Sequence, residues 1–379
     1  MSHEKYMKEA LELAKKGMGF VNPNPMVGAV IVKNGEIIGR GWHRKYGKLH
    51  AEREAFADCD NKGIDCSGAD MYVTLEPCCH HGKTPPCTDA VIEHKIARVF
   101  IGSSDPNPLV AGKGTKILRE HGIEVTEGIL KDECDELNEI FFHYITTGRP
   151  FVTMKYAMTM DGKIACYTGE SKWITGEKSR MNVQYERLRH SAIMVGIGTV
   201  LADNPMLTCR LEKGRNPIRI ICDSRLRIPL ESNIVQTAKD IPTIIATTDY
   251  GKRKNDDKKE KRKKLEDMGC GFITTSTDSP NSRTDLQKVI KKLGDMKIDS
   301  ILLEGGGELN WSMLNAGLVN KVQAYIAPKI FGGADAKSAV SGMGVPAPSD
   351  AFILTDTKVK HIGDDILIES RVKNVHGNN

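Results

Sequence analysis

Four residues restrict this chain more than any others: His50 and Glu52 in the triplet His50-Ala51-Glu52, Cys78 in Glu76-Pro77-Cys78-Cys79, and Cys87 after Pro85-Pro86. An imidazole and clustered thiols in a chain without a disulfide framework point to metal binding or chemistry. A fold that uses them has to bring a helix start, a strand end and a later loop to one point. Zinc suits the donor set. Two thiolates cancel its charge, a neutral imidazole adds none, and a fourth position stays open for water. Zinc lowers the pKa of that water toward neutrality and so supplies a nucleophile. Glu52 sits two residues past His50, unligated, where it can take the water proton and hand it to a ring nitrogen and a leaving amine.

A His-x-Glu triplet followed by Pro-Cys-x-x-Cys is the signature of zinc deaminases. This chain departs from the compact form: eight residues separate Cys78 from Cys87, and His81 stands where the second Cys would be. The third ligand is therefore Cys87, Cys79 or His81. Adjacent Cys78 and Cys79 are poorly placed to share one ion, whereas Cys87 opens a predicted helix, which favours His50, Cys78 and Cys87. A purely structural zinc site would need a fourth protein ligand, which His80 or His81 could supply, but it would have no use for an unligated Glu52.

Hydrophobic and segment patterns predict two α/β layers systems in series. Met7, Ala10, Leu11 and Ala14 share one face of a helix over 3–16. Met26 to Val32 reads as a strand, and Asn34-Gly35 before Ile37-Ile38 signals a hairpin. Helices follow at 50–57, 89–94 and 113–120, and strands at 71–75, 97–101 and 123–125. Thr146 to Pro150 reads as a boundary. Beyond it, strands are predicted at 151–158, 192–197, 217–222, 242–247, 300–304 and 321–327, and helices at 178–189, 284–293 and 308–316. The alternation implies two three-layer α/β domains, at 1–146 and 150–372, with a polar tail at 373–379.

Charge and composition narrow the function. The net +5 is local: Lys252 to Lys264 carries nine Lys or Arg and three Asp or Glu, leaving the rest near −1. Such a run reads as a solvated surface insertion. With only 6% aromatic residues, nothing suggests a base-stacking groove, so no nucleic-acid partner is expected. No apolar run reaches membrane-spanning length, and the charged, amphipathic start lacks the centre of a secretory signal, so a cytoplasmic enzyme without a membrane partner is expected.

Around the metal motif, Asn24, His43, His80, Lys83 and Asn107 stand at polar turns suited to reading a polar heterocycle, with Lys83 or His80 able to meet a phosphate or oxo group. Gly112-Lys113-Gly114-Thr115 lacks the frame of a phosphate-binding Walker loop, and Gly196-Ile197-Gly198 lacks the third glycine of a dinucleotide fingerprint. Glu304-Gly305-Gly306-Gly307 lies between a strand and a helix, where backbone N–H groups can approach a phosphate.

Taken together, these motifs resemble the bifunctional riboflavin-biosynthesis deaminase-reductases of bacteria. The likeness rests on Asn24-Pro25, Val27-Gly28-Ala29, His50-Ala51-Glu52, Leu75-Glu76-Pro77-Cys78 and the stretch from His80 through Gly82-Lys83-Thr84-Pro85-Pro86-Cys87. It continues in Lys155-x-Ala157, Asp161-Gly162-Lys163, Trp173-Ile174-Thr175, Ala202-Asp203-Asn204-Pro205, Leu207-Thr208, Arg210 and Glu304 with its glycines. The resemblance implies a cytidine-deaminase-like domain followed by a dihydrofolate-reductase-like domain, one zinc in the first and NADPH in the second. It implies a small phosphorylated pyrimidine substrate and a homo-oligomer. It assigns zinc to His50, Cys78 and Cys87 and the proton shuttle to Glu52. NADPH would lie near Ala157, Trp173, Thr199, Asp203, Ser224, Gly305, Gly306 and Gly307, and substrate near Lys155, Ser171, Arg187, Leu207, Arg210 and Glu304. Lys155 and Asp161 are candidates for the reductase step, which depends on positioning more than on an acid or base. The rival reading is a nucleic-acid-editing zinc deaminase with an accessory nucleotide-binding domain.

Overall fold

A computed structural model describes residues 3–80, 85–108, 110–249, 256–276 and 282–373. His81, Lys83, the segment 252–255 and the tail from 374 onward, all named above, lie outside the described residues. The chain divides into two compact units, Met1–Gly148 and Arg149–Asn379.

The first unit contains helix α1 (His3–Lys15), strands β1 (Gly28–Lys33) and β2 (Glu36–Trp42), α2 (Ala51–Asn61), β3 (Asp70–Leu75), α3 (Cys87–Glu93), β4 (Arg98–Ser103), α4 (Lys113–Glu120), β5 (Glu124–Glu127), α5 (Lys131–Leu137) and α6 (Glu139–Thr147). Its sheet runs β2-β1-β3-β4-β5. The β1–β2 hairpin turns on Asn34 and Gly35, both at positive φ (54° and 82°), as a two-residue turn of this kind requires. The strands are apolar on both faces, because alternate residues feed two helical layers. Ile31, Met71, Val73, Val99 and Ile101 pack on α2, α3 and α4. Val30, Val32, Tyr72 and Phe100 pack on α1 and on Cys134 of α5. Each fully buried aliphatic side chain contributes about 1.5–3 kcal/mol.

The second unit contains β6 (Phe151–Thr159), α7 (Glu177–Arg189), β7 (Ala192–Gly196), α8 (Ile197–Asp203), β8 (Ile218–Cys222), α9 (Asn233–Gln236), β9 (Thr243–Thr248), α10 (Asp256–Asp267), β10 (Cys270–Thr275), α11 (Leu286–Asp295), β11 (Ser300–Leu303), α12 (Gly307–Asn315), β12 (Lys321–Ala327), β13 (Leu354–Ile362) and β14 (Asp365–Val372). Nine strands form one sheet in the order β10-β9-β8-β7-β11-β6-β12-β14-β13. It is parallel from β10 to β12, and its last two strands are antiparallel. From β6 the chain steps outward through β7 to β10, returns to place β11 between β7 and β6, and then continues to β12 on the other side. This reversal makes the carboxyl ends of β7 and β11 the place where loops diverge and ligands fit.

Three features go beyond what the sequence shows. The basic run, read as a solvated surface insertion, is helical from Asp256: α10 is held to the core by the buried Leu265 and stabilised by spaced ion pairs such as Glu260–Lys264 and Arg262–Glu266. Its charge pattern masks the one apolar anchor. The stretch 131–147, left unassigned from sequence, forms α5 and α6, and α6 stops where Gly148 turns left-handed. The strands β10, β13 and β14 also escaped sequence reading. β13 is an edge strand exposed on both faces, so it shows no alternation. Among the described residues no helix is long and apolar enough to cross a membrane.

Candidate active sites

The first site is assembled by three short segments. His50 immediately precedes α2 in an extended conformation, which places Glu52 in the first turn. Cys78 lies in the loop after β3, and Cys87 opens α3. The backbone N–H groups of Cys87 and Thr88 both donate to the Cys78 carbonyl (3.0 and 3.2 Å), so the start of α3 is tied to the other thiol's own residue. Arg53 of α2 donates to the carbonyls of Pro85 and Pro86 (3.2 and 2.7 Å), drawing the same loop onto the helix that carries His50. α2 can lie close to the sheet because β2 carries Gly41, where a Cβ would come within 2.1 Å of the Ala51 carbonyl oxygen.

The result is a three-donor cluster. His50 Nδ1 lies 3.5 Å from Cys78 Sγ and 3.4 Å from Cys87 Sγ, and all three donor atoms fall within 4.8 Å of one another. A tetrahedral centre with bonds of about 2.3 Å to sulfur and about 2.0–2.1 Å to imidazole separates such atoms by roughly 3.6 Å. The geometry and the chemistry of the set therefore fit zinc. Cys79 is not part of the cluster. Glu52 is only 3% exposed, and burial followed by the Cys78 sulfur pushes its carboxyl up to about 7. A hydrogen bond with Cys87, against burial and with help from His50, pulls the Cys78 thiol down to about 4, and the same contact together with burial pushes Cys87 up. One proton is thus shared between the two sulfurs, and a bound dication would displace it.

Polar residues surround this cluster. His43 donates from Nδ1 to the Leu49 carbonyl (2.9 Å), leaving Nε2 to accept from Asn24 Nδ2 (3.4 Å), and burial lowers its pKa. Its ring meets that of His50 edge-on at 5.4 Å. Glu76, buried at the end of β3, accepts from the backbone N–H of Asp105, Gly112 and Thr115 (3.4, 3.0 and 3.2 Å) and so anchors the segment that carries Asn107. Asp105 in turn accepts from the Asn107 N–H at 2.8 Å, and burial raises its carboxyl to about 6. His80 Nδ1 is buried without a hydrogen-bond partner among the described residues.

In the second unit a cleft of about 790 Å³ opens at the carboxyl ends of β7, β8 and β11, within the range of pockets that take small ligands and cofactors. Gly306 precedes α12, which has no side-chain cap and leaves its first N–H groups to a ligand. A Cβ at Gly307 would lie 2.7 Å from both the Ser338 carbonyl oxygen and Ser341 Oγ, so no other residue lets these segments meet. Asp223 at the cleft floor is fully buried. Its Oδ2 accepts from the Ile228 N–H (2.8 Å), while the buried Oδ1 has no partner among the described residues.

Next along the chain from those glycines is a buried ion pair. Arg187 Nε and Nη2 donate to the two Glu304 oxygens, each at 2.9 Å, and Nη1 donates to the Thr208 carbonyl at 2.9 Å. Burial opposes ionisation of Glu304, but Arg187 and then Lys155 overturn it and hold the carboxylate down to about 2. Burial pushes the Lys155 ammonium below its usual value, against the pull of Glu304.

Residues 150–368 match the family described as RibD C-terminal domain, and residues 1–103 match the cytidine and deoxycytidylate deaminase zinc-binding region. The riboflavin biosynthesis protein RibD of Actinobacillus pleuropneumoniae is 55% identical over 364 residues, covering 96% of this chain and 94% of that protein. The chain belongs to the RibD family. Its first unit is the zinc deaminase domain and its second the reductase domain of a bifunctional riboflavin-biosynthesis enzyme. Solved RibD-family structures agree over the full length. Acinetobacter baumannii RibD has a TM-score of 0.83 at 34% identity, covering 98% of each chain. A Thermotoga maritima protein titled diaminohydroxyphosphoribosylaminopyrimidine deaminase/5-amino-6-(5-phosphoribosylamino)uracil reductase has a TM-score of 0.80 at 41% identity, covering 97% of this chain and 98% of that one.

Within the RibD framework the residues singled out from sequence separate into groups. Asn24 contacts His43, whose ring meets that of the cluster residue His50; the Asn107 N–H donates to Asp105; and His80 stands two residues past Cys78 with its Nδ1 buried and without a partner among the described residues. Thr199, Asp203, Ser224, Gly306 and Gly307 line the reductase cleft, and Ser171, expected near substrate, lines it too. Ala157, Trp173 and Gly305 do not line it. Trp173 is 58% exposed with Arg180 over its ring at 4.7 Å, and Gly305 faces Leu309 and Asn310 of α12. Lys155, Arg187 and Glu304 converge, with Arg210 exposed nearby in charge contact with Glu304. The Leu207 side chain is packed in the core, so any contact with a ligand runs through its backbone. Asp161 accepts from Thr159 Oγ1 and from the N–H groups of Phe331 and Gly332, and serves as a loop anchor. Sequence reasoning gave no role to Arg53, Glu76 or Asp223. A carboxylate ending an apolar strand just before Pro77-Cys78 was the one available signal for Glu76, and Arg53 had none.

Proposed function

We propose that the deaminase domain replaces the ring 2-amino group of a diaminopyrimidinone bearing a phosphorylated ribosylamino group by oxygen, releasing ammonia, and that the reductase domain then reduces the ribosyl group to ribityl phosphate with NADPH. The convergence of His50 Nδ1, Cys78 Sγ and Cys87 Sγ beside the buried Glu52 carries the reading. The deaminase and reductase activities named for the Thermotoga maritima relative support it.

His50, Cys78 and Cys87 hold the zinc, which when bound acidifies water toward neutrality. Glu52 takes one proton from the attacking water and gives it to the ring nitrogen, then takes the second from the newly added hydroxyl and gives it to the amine as ammonia departs, a task suited to a carboxyl raised by burial. Asn24, His43, His80, Lys83 and Asn107 orient the ring and its substituents. In the reductase domain Thr199, Asp203, Ser224, Gly306 and Gly307 would hold NADPH along the cleft, and the cofactor would supply a hydride for the open-chain imine form of the ribose; Ala157, Trp173 and Gly305, expected beside it from sequence, lie outside the cleft lining. Lys155, Ser171, Leu207 and Glu304 position the substrate. Arg187, already bidentate to Glu304, fixes that carboxylate, and the exposed Arg210 meets the phosphate. Cys87→Ser tests the metal assignment: zinc content and ammonia release are expected to fall while NADPH oxidation with the deaminated pyrimidine continues. Full zinc retention would move the third ligand to Cys79 or His81.

A further inference from the structure

Helix α7 buries little apolar surface: Val183 is its one buried aliphatic side chain, beside Ser179 and Gln184. A helix of that composition is held by hydrogen bonds rather than by an apolar stripe. Several of those bonds run to one segment. Residues 204–210 belong to no helix or strand, and Leu207, at φ 53°, turns its side chain into the core. Gln184 Oε1 accepts from the Arg210 N–H at 2.9 Å, and the Gln184 carbonyl accepts from Cys209 Sγ at 3.6 Å. One turn further along α7, Arg187 Nη1 donates to the Thr208 carbonyl. On the other side, the Cys209 N–H donates to Asn216 Oδ1 at 3.0 Å. Thr208, Cys209 and Arg210 are thus each tied down by hydrogen bonds from outside their own segment.

Gln184 is only 5% exposed, so its carboxamide is a buried polar group that the Arg210 N–H satisfies. Only the oxygen of a carboxamide can meet an N–H, which sets the orientation of the side chain. The Arg210 side chain, by contrast, is exposed and in charge contact with Glu304, which Arg187 holds from the same helix. A long arginine loses conformational freedom when it binds, and a fixed backbone reduces that loss. We propose that Gln184 is a positioning residue for substrate binding in the reductase domain: its carboxamide fixes the backbone of Arg210 against α7, so that the guanidinium meets the substrate's phosphate at a set place beside the Arg187–Glu304 pair. Gln184 acts through Arg210, and the proposal rests on the reading of Arg210 as the phosphate contact.

Steady-state kinetics of the full-length zinc-loaded enzyme with NADPH and the deaminated pyrimidine test it. Gln184→Met nearly keeps the shape of the side chain and removes the acceptor. It is expected to raise KM for the pyrimidine by about tenfold while kcat and KM for NADPH stay within about twofold, the split that a lost binding contact produces. Arg210→Ala should raise the same KM, and adding Gln184→Met to it should change KM by less than about twofold further, since both act through one guanidinium. Asn216→Ala, at an exposed residue, loosens the segment from its other side and should give the same split at about threefold. An unchanged pyrimidine KM in Gln184→Met, losses that multiply in the double variant, or a parallel fall in kcat and NADPH affinity would make Gln184 a structural residue only and overturn the proposal. Should Gln184→Met fail to fold, an unchanged KM in Asn216→Ala overturns it. An unchanged KM in Arg210→Ala overturns the phosphate reading of Arg210 and this proposal with it, whereas a raised KM there beside an unchanged one in Gln184→Met overturns this proposal alone.

Discussion

The deaminase domain gathers its chemistry into four side chains drawn from a helix start, a strand-end loop and a second helix start, whereas the reductase domain spreads its site along a cleft lined by backbone, hydroxyls and scattered charges. In the first, the ligand atoms themselves demand particular residue types, since an ion needs thiolate and imidazole donors and a proton needs a carboxylate. In the second, the uncapped start of α12 borders the cleft, and the absence of a Cβ at Gly307 lets the Ser338 and Ser341 backbone close on that helix start. The difference predicts how each site breaks. Losing one side chain should abolish the first, while the second should fail mainly where a buried charge is left alone.

The largest effect is expected at the deaminase acid. Glu52→Gln should keep zinc and slow ammonia release by about 10²–10⁴-fold, the usual worth of a positioned acid–base group. Metal analysis beside an ammonia assay checks it, and zinc loss with the substitution would make Glu52 a ligand. The reductase counterpart is Arg187→Ala, which strands Glu304 in a site where the ion pair is only 13% and 14% exposed. It should destabilise the domain by about 3–5 kcal/mol, read as a lowered unfolding midpoint. A change under about 1 kcal/mol would show that water relieves the charge. A smaller effect is expected from Gly41→Ala, whose methyl presses on the Ala51 carbonyl. It should cost about 1–3 kcal/mol and weaken zinc binding through displacement of His50, with reductase activity unchanged. Unaltered zinc affinity would mean that α2 can shift without moving its first residue.

The same contrast explains what could be read beforehand. His50, Glu52, Cys78 and Cys87 were legible because residue type and spacing state the chemistry, although sequence alone could not decide among Cys87, Cys79 and His81; the two N–H bonds to the Cys78 carbonyl show how Cys87 reaches the cluster. Most strands of both sheets, β10, β13 and β14 excepted, were legible as apolar runs buried on two faces. Helix α10 was not, since Leu265 is its one apolar residue and its other hold on the sheet is Arg262, which donates to Thr274 and covers the Phe272 ring. Nor was the edge strand β13, which buries neither face. Leu207 was named as a contact on resemblance, yet its side chain belongs to the core. The Glu76 carboxylate holds a segment distant in sequence through backbone donors, an arrangement that residue identity does not encode.

The most direct test strips metal from the full-length enzyme with a chelator and follows two products in parallel: ammonia from the diaminopyrimidinone, and NADP⁺ from NADPH with the already deaminated pyrimidine. Ammonia release should vanish and return on adding zinc to one equivalent per chain, a stoichiometry set by the single three-donor cluster among the described residues, while NADPH oxidation stays unchanged throughout. Ammonia released at full rate by metal-free enzyme, or both activities lost together, would contradict a zinc centre confined to the deaminase domain.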